Sequence, residues 1–294
     1  MKEPLVSVLM TAYNRADYIS AAIESVLAST YQHFELIIVD DCSADATVAI
    51  AEKFAATDSR VQVYVNEQNL GDYKNRNKAA SYANGVYLKY LDSDDLIMPW
   101  GLEVMVMCMQ ALPTAGIGFV HTNINLQYPV LYTPSEAYSL YYFQNKLLSV
   151  GPSATIIRKN VFEAAGGFSG KQYIGDMELW LNLTAANPVA ALPPGLVYWR
   201  EHEGQQIVEE RKNNKIEAVR LQLDRAVLTA VDCPLTAKQR TIALRNLLNI
   251  KCRTILARYF LKGKFGKGMA QMQLLNLRFS DMLLAFKRNQ KPEN

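Results

Sequence analysis

The stretch LVSVLMTAYNRADYISAAIESVL, residues 5–27, places a continuous apolar run shortly before an amphipathic segment. Leu5 to Ala12 has the length and composition of a buried β-strand. Ser20 is a residue type that often caps helices, and Ile23 and Val26 follow it at helical spacing. This part of the chain is therefore predicted to form a strand followed by a helix.

The same strand–helix pattern recurs three times, and its four strands lie within about the first ninety residues. The further predicted strands are Phe34 to Asp40, Val61 to Asn66 and Val86 to Asp92, and the helices are Thr47 to Phe54, Tyr73 to Ala83 and one from Pro99 to about Leu112. Alternating strands and helices predict an α/β fold with a mostly parallel sheet and helices on both faces. Ligands bind such sheets at the carboxyl ends of the strands, and polar residues follow each predicted strand.

Later segments are predicted to extend this domain and then to change character. Residues 126–150 are rich in tyrosine and are expected to form a loop or short helices. The predicted strands here are Gly118 to Thr122 and Ala154 to Ile157, and the predicted helices are Val161 to Ala165 and Met177 to Ala186. Beyond Gly204, glycine and proline become scarce and leucines recur at helical spacing, which predicts a helical C-terminal region.

The net charge changes sign along the chain, although its total is only +3. Residues 1–204 hold 13 Lys and Arg against 21 Asp and Glu, a net charge of −8, whereas residues 205–294 hold 18 against 7, a net charge of +11. The acidic part suits a metal site, and the basic part suits an anionic surface.

Two classes of protein are disfavoured by composition. The four cysteines lack CxxC or similar spacing, so neither a disulfide framework nor a structural zinc site is expected. The chain starts with no secretory signal, and the apolar region from Leu102 to Leu112 is too short to span a bilayer. A cytoplasmic protein is therefore expected.

The strongest chemical signal is LDSDD, Leu91 to Asp95, at the end of the fourth predicted strand. Asp92, Asp94 and Asp95 bring three carboxylates together, and closely spaced hard oxygen ligands suit Mg²⁺ or Mn²⁺. Such an ion can bridge a diphosphate and neutralise the charge of a leaving group. The alternative is a polar turn whose acids cap the following helix.

Two other motifs follow the second and third predicted strands. In VDDCSAD, residues 39–45, Asp40 and Asp41 either accept hydrogen bonds from a base or ribose or form an Asx turn and a helix cap. In NLGDYKNRN, residues 69–77, Arg76 either contacts phosphate or ribose or lies on a solvated helix face.

Two motifs later in the chain carry further candidates. In GDMELW, residues 175–180, Asp176 lies at a predicted helix start and is either a general base or an N-cap. In YWREHEGQQ, residues 198–206, His202 and Arg200 either reach a metal or a phosphate or lie in a solvated loop.

In this order the motifs resemble glycosyltransferase family 2, whose members are inverting enzymes with the GT-A fold. The resemblance spans nearly all of residues 4–206 and rests on these five motifs together with PLVSVLMTAYNR (4–15) and GGF (166–168). It implies a GT-A catalytic domain over residues 1–204, with a nucleotide-sugar half at about 1–100 and an acceptor half at about 101–204. A basic α-helical region, residues 205–294, follows.

The resemblance also implies a role for each matching residue. The implied nucleotide contacts are Thr11, Ala12, Tyr13, Asp41, Arg76 and Asp92. The implied ligands of Mn²⁺ or Mg²⁺ are Asp94, Asp95 and His202. Asp176 matches the catalytic base, which would take a proton from an acceptor hydroxyl. That oxygen would attack the anomeric carbon opposite the diphosphate, so one displacement inverts the configuration.

The chain departs from the family pattern at three positions. Gly175 stands where the family often has Glu, Asn182 stands where Arg is common, and Cys42 stands where Gly is usual. None of these departures removes a catalytic carboxylate.

The implied reaction is transfer of a sugar from a nucleotide sugar to a hydroxyl of a glycan or lipid-linked glycan, as in bacterial surface polysaccharide synthesis. UDP-sugars are the commonest donors in the family, and no nucleic-acid partner is expected. One alternative is a non-catalytic nucleotide-sugar-binding scaffold. A nucleotidyltransferase is another, although no Gly-rich basic loop follows the first strand, and a dehydrogenase is disfavoured because GxGxxG is missing.

The basic tail contains KCRTILARYFLKGKFGKGM, residues 251–269, which has no acidic residue. Its apolar members include Ile255, Leu256, Tyr259, Phe260, Leu261 and Phe265. This composition is typical of an interfacial helix and predicts salt-sensitive contact with the inner face of an anionic membrane. The alternatives are that the apolar residues form the core of a helical bundle or the seam of a homodimer.

Overall fold

The computed structural model describes residues 3–121, 127–144, 147–202 and 214–291. Within the chain, one compact unit contains Met1–Ala137 and Lys146–His202, and the other contains Tyr138–Asn145 and Glu203–Asn294. The predicted boundary between residues 204 and 205, and the end of the motif at residues 198–206, lie outside the described residues. The predicted boundary therefore stays a prediction.

Four parallel strands form one half of the central sheet. They are β1 (Val6–Ala12), β2 (Phe34–Asp40), β3 (Val61–Val65) and β4 (Tyr87–Tyr90), in the order β3–β2–β1–β4. The helices between them are α1 (Ile19–Leu27), α2 (Thr47–Ala55) and α3 (Asp72–Ser81). Parallel neighbours need such crossovers. Ala12 is paired with Asp40 and Asp40 with Val65, so the residues after these strands emerge at one edge of the sheet.

The other half of the sheet is mixed. Its elements, in chain order, are β5 (Leu96–Ile97), α4 (Gly101–Ala111), β6 (Ile117–Val120), β7 (Val130–Tyr132), α5 (Pro134–Gln144), β8 (Thr155–Arg158), α6 (Lys159–Ala164), α7 (Gly175–Ala186), β9 (Val189–Leu192) and β10 (Val197–Tyr198). The full order is β3–β2–β1–β4–β8–β6–β9–β7, with β8 antiparallel to β4 and β6. β5 and β10 form a separate antiparallel pair.

The predicted α/β class with a mostly parallel sheet is confirmed, but several local expectations are wrong. Residues 126–150, expected to hold a loop or short helices, do contain a helix, the 11-residue α5, but they also contain the unexpected strand β7. The strands β5, β7, β9 and β10 have two to four residues each, too few to show a periodic pattern. Ser20 does not cap α1, because the helix begins at Ile19 and the Ser20 hydroxyl contacts Glu24.

Apolar side chains of the sheet and of the helices packed on it build the core of the first unit. Val8 on β1 and Leu36 on β2 are fully buried, as are Ile23 on α1 and Met105 on α4. Because these strands are buried on both faces, they read as continuous apolar runs in the sequence. This core holds the strand ends, and therefore the loops that follow them, in place.

The C-terminal part of the second unit is helical, as predicted. It contains α8 (Asn214–Thr229), α9 (Ala237–Arg258) and α10 (Phe265–Leu274), with short 3₁₀ helices at Phe260–Lys262 and Phe279–Phe286. A capping box of Thr236 and Gln239 begins α9. Among the described residues, no helix has the length and hydropathy needed to cross a membrane.

Candidate active site

Polar residues gather at the carboxyl edge of the parallel strands, where this type of sheet binds ligands. Tyr13 follows β1, Asp41 follows β2, and the acid cluster Asp92–Asp95 follows β4. The pairing of β10 with β5 brings Arg200 and His202 to the acid cluster. Residues more than 100 positions apart in sequence therefore share one site.

Asp40 shapes the loop after β2. The backbone N–H of Ser43 donates to Asp40 Oδ2 at 2.7 Å, and the Ser43 hydroxyl donates to Asp40 Oδ1 at 2.5 Å. Asn14, with a φ of 51°, accepts from the Ala44 N–H at 2.9 Å and links this loop to the end of β1. Asn is one of the few non-glycine residues that adopt this left-handed conformation readily. Asp40 is therefore a turn former.

Asp41 is buried and uses both of its carboxylate oxygens. Oδ1 accepts from Asn66 Nδ2 at 2.7 Å and from the Leu70 N–H at 2.8 Å, and Oδ2 accepts from the Gly71 N–H at 2.9 Å. These bonds fasten the loop between β3 and α3. A carboxylate offers about four acceptor positions, and the described part of the chain occupies three of them. Its contact with a base edge stays a prediction.

The end of β1 carries the other residues predicted to contact the base. Thr11 is half-buried, Ala12 is buried, and the Tyr13 ring is 48% exposed. An exposed aromatic ring can stack on a planar base. The base-pocket role of all three residues stays a prediction.

The acid cluster forms a tight group at the end of β4. Asp92, Asp94 and Asp95 each place a carboxylate oxygen within 4.8 Å of the others. The Asp95 N–H donates to the Asp92 carbonyl at 2.9 Å, which folds the loop back on itself. Asp92 Oδ1 is buried and lies 2.7 Å from Arg76 Nη2. Three carboxylates this close together supply the hard oxygen donors and the negative charge that fit a divalent cation such as Mg²⁺ or Mn²⁺.

Asp94 contacts two side chains that lie far apart in the sequence of the first unit. Its Oδ2 lies 3.1 Å from Arg15 Nε and 3.0 Å from His202 Nε2. The His202 ring stacks on Tyr18, with centroids 4.3 Å apart, so the imidazole is held in a fixed plane. His202 therefore contacts one of the carboxylates with which it was predicted to share a metal, and its metal contact stays a prediction.

Asp95 is the most buried carboxylate of the cluster, at 2% exposure. Burial, reinforced by the nearby charge of Asp92, raises the pKa of Asp95 to about 7, although hydrogen bonds from Ser153 and the Arg200 N–H oppose the shift. The Arg200 guanidinium also donates to the Asp94 carbonyl and, at 3.1 Å, to the Tyr18 carbonyl. Arg200 therefore fixes the position of the loop that carries the cluster.

Beneath the cluster lies Lys89, which is fully buried on β4. Its ammonium donates to the carbonyls of Tyr90 and Ser153, both at 2.5 Å. Ser153 in turn accepts from the Asp92 N–H at 3.0 Å. Burial lowers the pKa of Lys89 to about 7, against the opposing effect of Asp92 and Asp95. Lys89 and Ser153 form a second layer of support under the acidic loop.

Arg76 links the acid cluster to α3. Its Nη2 lies 2.7 Å from Asp92 Oδ1 and its Nε lies 2.9 Å from Asp72 Oδ1. Burial alone would lower the pKa of Arg76, but these carboxylates outweigh burial and hold it above its ordinary value. The sequence alternative of a solvated helix face is wrong, because Arg76 is only 7% exposed. Its Nη1 is buried and has no hydrogen-bond partner in the described part of the chain.

Asp176 lies in the first turn of α7, whose N-cap position is Ile174. Its Oδ1 accepts from the Met177 N–H at 2.7 Å and from the Tyr73 hydroxyl at 3.4 Å. Burial raises the pKa of Asp176, while the Met177 N–H, Arg76 and Tyr73 act in the opposite direction. A carboxyl with a raised pKa is a stronger base than an ordinary aspartate.

The sequence also matches a family of known proteins. Residues 7–164, more than half of the chain, match the model of glycosyl transferase family 2. The chain belongs to this family. TuaG of Bacillus subtilis, a putative teichuronic acid biosynthesis glycosyltransferase, is 46% identical over 42% of this chain and 48% of its own length. The chain thus matches about half of that relative.

A second relative is covered more completely. WfgD of Escherichia coli is a UDP-Glc:α-D-GlcNAc-diphosphoundecaprenol β-1,3-glucosyltransferase. It is 30% identical over 74% of this chain and 84% of its own length.

Solved structures support the predicted GT-A fold. TarS of S. aureus in complex with UDP-GlcNAc superposes with a TM-score of 0.70 and 21% identity, over 92% of this chain and 79% of that one. The mannosyltransferase PcManGT of Pyrobaculum calidifontis, in complex with GDP-Man and Mn²⁺, has a TM-score of 0.60 and 16% identity, over 98% and 89% of the two chains. At these identities the likeness shows the fold alone.

Sequence reasoning missed several residues of the site. Arg15, Asp72 and Tyr73 lie inside motifs that match family 2, so their position in those motifs was the available signal. Ser153 and Lys89 had no such signal. Ser153 is 61 positions from Asp92, and only the pairing of β8 with β4 brings the two regions together.

Gly175, where the chain departs from the family pattern, lies against the ring of Tyr73. A Cβ at this position would lie 2.8 Å from Cδ2 and Cε2 of the Tyr73 ring. That ring is nearly buried and stacks on Phe168, with centroids 5.4 Å apart, so it has little freedom to move. In this chain the Tyr73 ring occupies the space that a side chain at position 175 would enter.

Replacing Gly175 with alanine is therefore expected to destabilise the protein, although alanine favours helices. Overpacking of this kind costs about 1–3 kcal/mol, more than the up to about 1 kcal/mol that Ala gains over Gly in a helix. Urea unfolding would measure the change. In a Tyr73→Ala background the same substitution should cost much less, because the clash is absent. A Gly175→Ala variant as stable as the wild type would contradict the steric explanation.

Proposed function

We propose that the protein is a metal-dependent, inverting glycosyltransferase that moves a sugar from a UDP-sugar to a hydroxyl of a glycan or lipid-linked glycan. The observation that carries this proposal is the chain of contacts at the carboxyl edge of the sheet. Asp92 contacts Arg76, Asp94 contacts His202, and the positive charge of Arg76 favours the ionised form of Asp176, although no ion pair joins these two side chains among the described residues. In a family 2 chain, an acid cluster and a buried carboxylate joined in this way suit a diphosphate leaving group and a base.

Asp94 and Asp95, with His202 and the neighbouring Asp92, would hold Mn²⁺ or Mg²⁺. The bound ion would supply positive charge that stabilises the diphosphate as it leaves. The PcManGT complex contains Mn²⁺, which supports this assignment. Arg15 and Arg76 lie beside the cluster and add fixed positive charge from the chain itself.

Asp176 would act as the base. Its Oδ takes the proton of the acceptor hydroxyl while the acceptor oxygen bonds to the anomeric carbon and the bond from that carbon to the diphosphate oxygen breaks. A single displacement inverts the configuration, so an α-linked donor gives a β-linkage. The raised pKa of Asp176 makes proton transfer more favourable.

Thr11, Ala12, Tyr13 and Asp41 would bind the nucleoside. They lie at the ends of β1 and β2, and both strands are on the same side of β4, which leads into the acid cluster. A nucleotide that extends along the carboxyl edge of the sheet requires this arrangement. Exposure of the Tyr13 ring and the one acceptor position of Asp41 that the described residues do not occupy support a stacked and hydrogen-bonded base.

The acceptor proposed is a glycan of a bacterial surface polysaccharide, or its lipid-linked precursor. TuaG is named for teichuronic acid biosynthesis, and WfgD uses a diphosphoundecaprenol acceptor. A lipid-linked acceptor places the reaction at the cytoplasmic face of a membrane, where the basic C-terminal helices would make peripheral contact.

A nucleotide-release assay would test this function. We expect UDP release from one UDP-sugar, stimulated by Mn²⁺ or Mg²⁺ and abolished by EDTA, with little release from GDP- or dTDP-sugars. An unrelated exposed carboxylate variant, Glu163→Gln, serves as the control for protein quality. Metal-dependent nucleotide binding without turnover of any donor, with acceptor glycans present, would identify a non-catalytic scaffold instead.

A further inference from the structure

The C-terminal part of the second unit exposes large apolar side chains. Six of them between residues 261 and 286 are more than half exposed, and they are Leu261, Phe265, Met269, Phe279, Leu283 and Phe286. Soluble monomers seldom expose apolar groups in such concentration unless the surface binds something. These side chains are therefore candidates for contact with a partner or a membrane.

The 3₁₀ helix Phe279–Phe286 packs one side against the core of the second unit and exposes apolar side chains on another side. Met282 and Ala285 are buried in the core of the second unit, whereas Phe279, Leu283 and Phe286 are 73%, 67% and 77% exposed. The helix packs on α9, so its exposed aromatic residues are presented from a supported element.

Basic residues lie at both ends of this exposed face. Arg278 precedes it and Lys287 and Arg288 follow it, and all three are exposed. The one acidic residue within it, Asp281, is half-buried and accepts a hydrogen bond from the Arg278 N–H at 2.7 Å. The segment 278–288 therefore offers apolar side chains between positive charges.

The segment 261–269 repeats this composition. Leu261 and Phe265 are 75% and 63% exposed, and the lysines at positions 262, 264 and 267 are exposed beside them. Phe260 packs against the core and contacts the Phe265 ring at a centroid distance of 5.9 Å, which supports the segment from beneath. Residues 260–291 together hold seven Lys and Arg against one Asp, a net charge of +6.

The structure corrects part of the sequence-based view of this tail. Ile255, for which an interface and a helical core were both left open, is 1% exposed and belongs to the core of the second unit, with Leu256 and Tyr259 packed against that core. The exposed apolar residues lie later in the chain, and the segment 278–288 was not among those expected.

We propose that the segments 261–269 and 278–288 dock on a bilayer that contains anionic lipids, with the apolar side chains entering the headgroup region and the basic side chains contacting lipid phosphates. Charge complementarity selects this occupant. If two copies of the chain associated through these segments, the positive charges of one copy would face those of the other. An anionic bilayer instead neutralises the positive charges. The inference deepens the proposed function, since a lipid-linked acceptor lies in such a surface.

Vesicle sedimentation with the full chain tests this proposal. We expect the protein to pellet at low salt with vesicles of phosphatidylcholine and phosphatidylglycerol, to remain in solution with phosphatidylcholine alone, and to be released at high salt. The Phe279→Ser, Leu283→Ser, Phe286→Ser triple variant should lower the partition coefficient at least about tenfold. A second variant, Lys262→Gln, Lys264→Gln, Lys267→Gln, should also bind anionic vesicles more weakly because it loses positive charge.

The matched control removes exposed apolar groups elsewhere. A Met107→Ser, Val231→Ser variant, whose side chains are 61% and 99% exposed in the wild type, should pellet like the wild type. Circular dichroism melts verify that every variant is folded. Failure of the wild type to pellet with anionic vesicles, or equal pelleting of the triple variant, would overturn the proposal. So would a loss of dimers by the triple variant in size-exclusion chromatography without vesicle binding.

Nucleotide release with a water-soluble acceptor separates this proposal from the proposed function. The triple variant should retain wild-type activity in that assay, because its substitutions lie outside the acid cluster and Asp176. A chain that pellets with anionic vesicles but transfers no sugar would uphold membrane docking and refute the glycosyltransferase proposal.

Discussion

Replacing Asp176 with asparagine is expected to reduce kcat for sugar transfer at least about 100-fold. Asparagine preserves the size of the side chain and can still accept a hydrogen bond from the Met177 N–H, but its amide cannot take the proton of the acceptor. UDP and metal binding should persist, since the substitution leaves the acid cluster intact. Single-turnover kinetics with donor and acceptor, together with calorimetry of UDP binding, would measure both quantities.

The pH profile gives the same assignment a second test. Only ionised Asp176 accepts a proton, and burial raises its pKa. The wild-type kcat should therefore fall as pH decreases through a value above the ordinary aspartate pKa of about 3.9. Tyr73→Phe removes one hydrogen bond that opposes this shift, so the acid limb should move to higher pH.

The control for Asp176→Asn is Glu163→Gln, which makes the same carboxylate-to-amide change on an exposed part of α6. Normal turnover by a folded Asp176→Asn protein would remove the base assignment. If the variant instead unfolds, Asp176 has a structural role in the first turn of α7, and the pH profile of the wild type becomes the deciding measurement.

Asp94→Asn is expected to weaken metal-dependent binding of UDP by about 100-fold or more. The amide keeps one oxygen near Arg15 and His202, but the site loses a negative charge from a cluster of three carboxylates. Binding measured by calorimetry with Mn²⁺ should therefore approach the affinity measured in EDTA. The loss should appear in binding itself, unlike the loss in the Asp176 variant.

Asp58→Asn provides the matched control, because Asp58 pairs with Arg60 before β3, at the end of that strand opposite the site. Its UDP affinity should equal that of the wild type in the presence of Mn²⁺. Unchanged, metal-stimulated UDP binding by Asp94→Asn would rule out Asp94 as the principal ligand.

The central strands could be predicted from the sequence because each is buried on both faces. Val6–Ala12 and Phe34–Asp40 are largely apolar runs, and both were located within one residue. The strands of the second half were harder to locate. Val130–Tyr132 and Val197–Tyr198 are only three and two residues long, and they owe their conformation to pairing with β9 and β5.

The candidate site shows the same division. The acidic residues at positions 92, 94, 95 and 176 stand out in the sequence because their chemistry and their place after a strand or at a helix start are local properties. The partners of these residues do not stand out. Ser153 supports Asp92, and Tyr73 contacts Asp176 from 103 positions away, through packing that no local pattern encodes.

For this protein, the sequence by itself determined the α/β class, the family and the identity of the acidic residues, since these depend on hydrophobic period and on motifs of a few neighbouring residues. Only the tertiary structure decided that Arg76 is buried in an ion-pair network, that Tyr73 excludes a side chain at position 175, and that Phe279 and Phe286 are exposed while Ile255 is buried. The physical reason is that burial, charge coupling and steric exclusion depend on which distant segments meet. Those meetings are set by the packing of the whole sheet and its helices.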